Sequence, residues 1–472
     1  MSTPPTNNPQ TQTEASPPPQ TGGCPFKHPA EIPAAPAGCP VLERDNPAFL
    51  QNAHHTYAML REQGPVVRAP FAQTPLDGVR QDSRAPKQTG VVNQRLFVTR
   101  YDEAVEALLD ERLSSDFRKG LPPEQRERLA YMPEEAKPLA YSLIMRDAPE
   151  HTRLRKLVQP SFTARAMEAL RPSIQKITDA LLDRAERDAA ERGETGPNRR
   201  MNLVKAFAHP LPVTVISEML GIPKEDQAQI SAEADRLMND ESLGRDEKRR
   251  ERFRAFSHYM EQLFERKRKA PGDDMISQML MTAEDGDKLS HDEMMSMVFL
   301  LFFAGHITTV NLIGSGVVAL LTHPEQHAKM IADPTLAKGL VEETLRYWGP
   351  VDFMGTARLV TDDVKLGETP IAKGELVMIG LASANRDPEK FPNPDAFDIT
   401  RPEAHRNIAF GKGIHVCLGA PLARLEGQIA FETLFRRYPQ MRLAVPVEEL
   451  KWGVGAGSGA GLRGFSQIPV FF

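Results

Sequence analysis

Ten residues near the C-terminus, Phe410-Gly411-Lys412-Gly413-Ile414-His415-Val416-Cys417-Leu418-Gly419, constrain this chain more than any other segment. Cys417 is the only one of three cysteines outside the Pro-rich N-terminal stretch. It sits between glycines, just before an apolar, helix-forming run that opens with Ala420 and Pro421; proline is tolerated in a first helical turn. Gly411, Gly413 and Gly419 carry no Cβ, so the backbone can bend and come close to a flat ligand. The start of the following helix turns its partial positive charge toward the sulfur, which stabilises a thiolate. Most lone intracellular cysteines are small buried hydrophobes. A phenylalanine and three glycines at these offsets have no shared purpose in a plain core, so the segment reads as a loop that presents a metal-binding thiolate.

Three other segments carry chemistry-bearing residues. Glu343 and Arg346 lie three apart, on one helix face, and can pair; alone, such a pair is usually a solvated contact of little energetic value. Leu301-Phe302-Phe303-Ala304-Gly305-His306-Ile307-Thr308-Thr309 lies inside an apolar run from about Met294 to Leu321, where a threonine most often bonds back to the preceding turn. Ala148-Pro149-Glu150-His151-Thr152-Arg153-Leu154-Arg155 opens a helix with cationic or donor groups on it.

Taken in order, these segments resemble the cytochrome P-450 superfamily, over a span from roughly Asn46 to the end of the chain. The resemblance implies a mainly α, cytochrome P-450 fold, a large helical domain with small β-sheets, over residues 41–472. It implies haem b held by Cys417 as the proximal thiolate, which favours O–O cleavage, with Phe410, Gly411 and Gly419 framing the loop. His151, Arg155, Arg358 and His415 match the contacts to the haem propionates, as charge-assisted hydrogen bonds. Glu343, Arg346 and Arg401 match the lock of the segment before the ligand loop, a structural role. Ala304 and Gly305 match the small pair that lets the distal helix kink, and Thr308 the threonine whose hydroxyl holds the oxygen being activated. The family normally carries an acid just before that threonine; this chain has Ile307. The same resemblance assigns Ile144, Met145, Phe303, Phe353, Met354 and residues 458–462 to an apolar substrate pocket, with ordinary core packing as the alternative for each.

The implied activity is insertion of one atom of O2 into a small or medium apolar organic substrate with NAD(P)H-derived electrons. Two alternatives stay open: an electron-independent peroxygenase or isomerase, and a non-catalytic haem-thiolate sensor. The electrons would come from a separate or fused reductase, because three cysteines, one of them committed to haem, cannot ligate an iron–sulfur cluster. The Ala-Gly-His-x-Thr-Thr string and a Pro-rich leader with Cys24-Pro25-Phe26 resemble the haem domains of self-sufficient enzymes fused to a phthalate-family reductase. Arg118, Arg153 and Lys156 could form a positive patch for an acidic electron donor.

Composition narrows the remaining classes. A formal charge of −5 gives no basic field for nucleic acid. No signal peptide is expected, and the longest apolar stretch is interrupted by Gly305, His306 and Asn311, short of the ~20 apolar residues of a membrane span. A cytoplasmic protein with no membrane segment is expected. Residues 1–40, rich in Pro, Thr, Gln and Asn, lack the apolar periodicity of a core and are expected to be disordered; Cys24, His28 and Cys39 fall short of a structural zinc site. Periodicity predicts helices near 47–63, 149–160, 165–192, 202–220, 224–239, 246–269 and 324–347, and from Ala420 to about Arg437. It predicts strands near Val66–Val67, Arg95–Val98 and between Thr356 and Met378, a polar insert at 73–92, and a C-terminal hairpin.

Overall fold

The helix that organises the molecule starts at a capping box. Ser290 Oγ accepts from the Glu293 backbone N–H at 3.2 Å, and the Glu293 carboxylate accepts from the Ser290 N–H at 2.8 Å. From there His291–Leu321 runs as one α-helix. By length and hydropathy it could pass for a membrane span, yet 78% of its most apolar 18-residue stretch is buried inside the protein. It is a core helix, wrapped by the helices Pro210–Leu220, Ala337–Trp348 and Ala420–Arg437.

Close approach in this layer depends on missing side chains. A Cβ on Gly316 would lie 2.3 Å from the Phe431 ring, and one on Gly427 would lie 3.4 Å from Leu312. Both contacts advance by one turn in the same sense, so the central helix and the Ala420–Arg437 helix run side by side in one direction.

The computed structural model describes residues 32–42, 46–72, 92–120, 142–239, 247–281, 289–353, 357–453 and 461–472. Its strands, in chain order, are β1 (Val66–Ala72), β2 (Val92–Val98), β3 (Leu113–Ser114), β4 (Arg200–Asn202), β5 (Arg358–Val360), β6 (Val364–Leu366), β7 (Thr369–Ile371), β8 (Leu376–Ile379), β9 (Arg442–Leu443), β10 (Trp452–Gly453), β11 (Gly464–Phe465) and β12 (Pro469–Phe471). The largest sheet has the order β1-β2-β8-β5-β3, with β1 and β2 paired from Val66↔Val98 to Ala72↔Val92 and only β2–β8 parallel. Smaller sheets are β4-β12-β9, β10-β11 and the hairpin β6-β7. The mainly helical class with small sheets is therefore observed.

Several boundaries differ from the periodicity reading. The chain joins the large sheet ahead of residue 41: Ala35 N–H donates to Arg68 O and Arg68 N–H to Pro33 O, both at 2.8 Å, and Ile32 and Leu42 are buried. These contacts line the free edge of β1. The segment expected at 165–192 is two helices, Ala164–Ala169 and Arg171–Glu191, because Pro172 starts a new helix and cannot continue the old one. Pro334 divides Pro324–Ala332 from Ala337–Trp348 in the same way. The polar insert at 73–91 and residues 1–31, with Cys24 and His28, lie outside the described residues, as do Met354 and 458–460.

Candidate haem-thiolate site

The cysteine loop is closed by its own backbone. Cys417 N–H donates to Phe410 O at 2.9 Å, Val416 N–H to Gly413 O at 3.1 Å and Gly411 N–H to Ile408 O at 2.9 Å. Gly411 and Gly413 have φ of 69° and 71°, a conformation other residues adopt only with strain. At Gly413 a Cβ would also meet Leu108 O at 2.7 Å. Gly419 differs: its φ is ordinary, and a Cβ there or at Gly411 would point into open space. Both positions leave room for a flat group, and Gly411 also meets the backbone demand of its positive φ.

Burial pushes the Cys417 thiol up, while the Gly419 and Ala420 N–H groups and the Arg155 and Arg424 guanidiniums pull the other way. These are the start of the following helix and two fixed cations, the surroundings expected around a bound thiolate. Cys417 is nonetheless solvent-accessible. A side chain that is densely surrounded and still accessible lines an internal space. Ile144, Ile414 and Val416 are accessible at 47%, 43% and 38%, and Ala304 is exposed on the otherwise buried central helix.

Arg155 departs from its expected place. It donates to Ile414 O at 3.0 Å and Val416 O at 2.7 Å, so in this structure it clips the ligand loop. The other three candidate donors lie near one another. The His151 and His415 rings are 4.3 Å apart, and both ring nitrogens of His151 and Nε of Arg358 are buried with no partner among the described residues. Burial, then Arg155, lowers His151 to about 4; burial, then Arg358 and His151, lowers His415 to about 3; burial alone lowers Arg358 to about 10. Buried donors without acceptors are costly, and an anionic group placed on them would restore the missing bonds. The set fits the carboxylates of haem.

Residues that sequence reasoning passed over hold this cluster. Ser115 Oγ lies 2.9 Å from His415 Nε2, and its N–H donates to Asp147 at 2.9 Å, which also pairs with Lys119 at 2.7 Å. Asp147 sits one residue before the Ala148-Pro149 opening of the His151 helix, a position with no sequence signal of its own. Of the proposed positive patch, Arg118 pairs with Asp116 and Arg153 with Glu293, so neither is a free cation; Lys156 is exposed.

On the central helix the backbone stays α-helical through Ala304 and Gly305. Thr308 is half-buried and its hydroxyl donates to Ala304 O at 3.0 Å, while Thr309 does the same to Gly305 O at 3.2 Å. Ile307 is buried. Phe303 belongs to an aromatic core with Phe299 and Phe256, at 4.1 and 5.6 Å, and Phe353 packs on Phe71 at 5.7 Å. Both are packing residues here. Met145 is half-buried beside the accessible Ile144, on a turn that touches the central helix.

The lock is complete. Glu343 and Arg346 are fully buried and joined by two bonds of 2.7 and 2.8 Å. Arg346 also donates to Asn385 O, Pro394 O and Ala396 O, at 3.3, 2.7 and 2.9 Å. Arg401 reaches Glu343 at 3.2 Å and binds three carbonyls of residues 392–396. A groove of about 560 Å³ lined by Met167, Ile174, Val215, Met219 and Met275 shares no residue with any of these groups.

A sequence model of the Cytochrome P450 family matches residues 117–443. The chain belongs to the cytochrome P450 family. It is 41% identical to a vitamin D(3) 25-hydroxylase of Pseudonocardia autotrophica, covering 89% of this chain and 94% of that one, and 38% identical to a 6-deoxyerythronolide B hydroxylase of Saccharopolyspora erythraea, covering 91% and 98%. Among solved structures it is similar to the P450 PksS of a Bacillus subtilis polyketide synthase, with a TM-score of 0.76 at 37% identity, over 90% of this chain and 98% of that one. This P450 is accordingly an oxidoreductase of the monooxygenase type that binds haem b. Nothing in these likenesses extends to a fused reductase.

Proposed function

We propose that this P450, as a single haem domain, hydroxylates a small or medium apolar organic molecule in the cytoplasm, with NAD(P)H-derived electrons from a separate or fused reductase. The observation that carries the reading is the pairing of Cys417, on its glycine-framed loop, with the unpartnered donors His151 and Arg358. Cys417 would ligate the iron, and His151, His415 and Arg358 would hold the carboxylates. When bound, haem supplies O2 activation, aided by thiolate donation.

This chain's own residues do the rest. Arg155 fixes the carbonyls on either side of His415 and so steadies the sulfur. The accessible apolar groups Ile144 and Ala304 form a wall that excludes water and accepts an apolar substrate. Thr308 lies on the same accessible side, where its hydroxyl can turn from Ala304 O toward the reacting oxygen. The related hydroxylases, named for vitamin D(3) and 6-deoxyerythronolide B, support an apolar substrate of some size.

One observation favours a second reading. Ile307 offers no proton at the position where the family has an acid, which makes peroxide-driven turnover without a reductase the alternative. The deciding experiment adds a compatible reductase and screens organics that shift the Soret band toward high spin. Substrate-dependent NAD(P)H consumption with a matched product, absent without the reductase, is expected. Equal product formation from peroxide alone would overturn the reductase-dependent reading.

A further inference from the structure

The groove between the Arg171–Glu191, Pro210–Leu220 and Met275–Met281 helices takes no part in the Cys417 site, and its surface is sorted by chemistry. Its floor is apolar: Met167, Ile174, Val215 and Met275 are buried and Met219 is half-buried. Its rim is polar, with Ser173, Asp273 and Gln278 exposed. None of the floor side chains is among the exposed large hydrophobic groups of the described residues. A protein partner needs a broad face of roughly 800 Å² on each side. A recessed apolar hollow of about 560 Å³ instead falls within the roughly 300–1,000 Å³ range of small-molecule sites.

We infer that this groove is an effector site for a small organic cation with an apolar body, coupled to the central helix at Gly305. The sign of the charge comes from the lining. Among the described residues its charged groups are Glu218, Asp273 and Asp274, with no Lys, Arg or His. Asp274 is committed: it accepts from Lys267 Nζ at 2.5 Å and from the Ser277 N–H at 2.9 Å. Glu218 accepts from Ser173 Oγ at 3.1 Å, and its nearest cation is Lys224 at 4.0 Å, on a side chain 85% exposed. Asp273 has no ion pair among the described residues. Two carboxylates therefore border an apolar hollow without a fixed counter-charge. Three methionines give the floor unbranched, polarizable side chains that adapt to ligands of different outline.

One helix links the groove to the central helix. Val215, Glu218 and Met219 line the groove from the Pro210–Leu220 helix, and Ile216 of the same helix lies against Gly305. A Cβ on Gly305 would meet Ile216 Cδ1 at 3.4 Å, so Ile216 rests on a turn that carries no side chain of its own. Gly305 adjoins Ala304, which is accessible on the side where a substrate would lie. Packed interiors resist compression and transmit displacement.

An occupant that wedges Val215 and Met219 away from Met275 drives Ile216 onto Gly305 and crowds the Ala304 side. Ligands bound on that side are weakened. The occupant touches neither Cys417 nor Thr308, and its binding makes and breaks no covalent bond.

The test uses the haem-loaded full chain with decyltrimethylammonium, a quaternary cation that cannot ligate iron, and imidazole, a small iron ligand read by the Soret shift. Calorimetry should show decyltrimethylammonium binding, with n-decanol, and the cation on the Glu218→Gln, Asp273→Asn double variant, each about fivefold weaker, the effect of two partly exposed ion pairs. Saturating cation should weaken imidazole about fivefold and then no further, and imidazole should weaken the cation by the same factor. Ile216→Ala should keep the cation's affinity while bringing that factor close to one, a split that general loosening of the fold does not produce. No binding, equal affinity for n-decanol or in the double variant, or an imidazole affinity that does not respond would overturn the inference. So would a factor that Ile216→Ala leaves intact, or an imidazole loss that grows without limit, which marks competition in the substrate pocket. Self-association abolished by the double variant would assign the groove to a second copy of the chain and overturn it as well. A wild type without the thiolate CO spectrum would refute the monooxygenase reading, while calorimetry of the cation still tests the groove.

Discussion

Arg346→Ala should be among the most damaging single substitutions in this protein. The guanidinium is fully buried, makes two charge-assisted bonds to Glu343 and donates to three carbonyls between residues 385 and 396. Removing it leaves Glu343 buried with only Arg401, at 3.2 Å, and the Asp398 N–H, at 2.9 Å. Breaking a buried pair from one side costs about 3–5 kcal/mol, a large share of the 5–15 kcal/mol typical of a whole domain. The segment it releases runs directly into the Phe410 loop, so haem retention should fall with stability. Denaturant unfolding of wild type and variant, with haem content measured alongside, reads both. Arg346→Lys should recover part of the loss, since it keeps the charge but not the planar fork. A loss below about 1 kcal/mol with full haem content would show that the lock does not hold the ligand loop.

Three further outcomes follow from single residues. Ile307→Glu should raise the ratio of product to NAD(P)H consumed and lower peroxide release, and unchanged coupling would show that proton delivery does not depend on that position. Because burial lifts the Glu426 carboxyl from about 4.5 to about 8, the folded state holds a proton that the unfolded chain releases, so this group costs stability increasingly as pH rises through that window. Glu426→Gln should therefore gain on wild type in urea unfolding, by up to about 1.4 kcal/mol per pH unit between those limits and by nothing further outside them; a pH-independent difference would contradict this. Arg358→Ala should speed haem transfer to a scavenger by roughly tenfold, about the loss of one charge-assisted hydrogen bond, and an unchanged transfer rate would remove Arg358 from the carboxylate site.

Much of the site was legible because its signals are local. Glycine spacing around Cys417, the three-residue offset of Glu343 and Arg346, and the departure at Ile307 can be read from the chain; the fold closes the first into a tight loop and buries the second as an ion pair. Signals that depend on burial were not legible. Glu426 looks like any helix-face acid until Gly427 and Phe431 bring the central helix against it. Arg155 was read as a carboxylate contact, yet it binds loop carbonyls, because a guanidinium can serve either acceptor and only the packing of its helix against residues 414–416 decides. Phe303 and Phe353 have the composition of a pocket wall, but aromatic neighbours from sequence-distant segments absorb both. Likewise residues 32–42 have tail-like composition and gain their order from backbone bonds to the edge of β1, which side-chain periodicity does not register.

The central claim is that Cys417 presents a thiolate to haem iron. The most direct test is the absorption spectrum of the reduced CO complex of the haem-loaded protein, beside that of Cys417→His. Thiolate ligation predicts a strongly red-shifted Soret band in the wild type and its loss in the variant, even where the variant retains haem. An unshifted wild-type band under native conditions would contradict the account at its base.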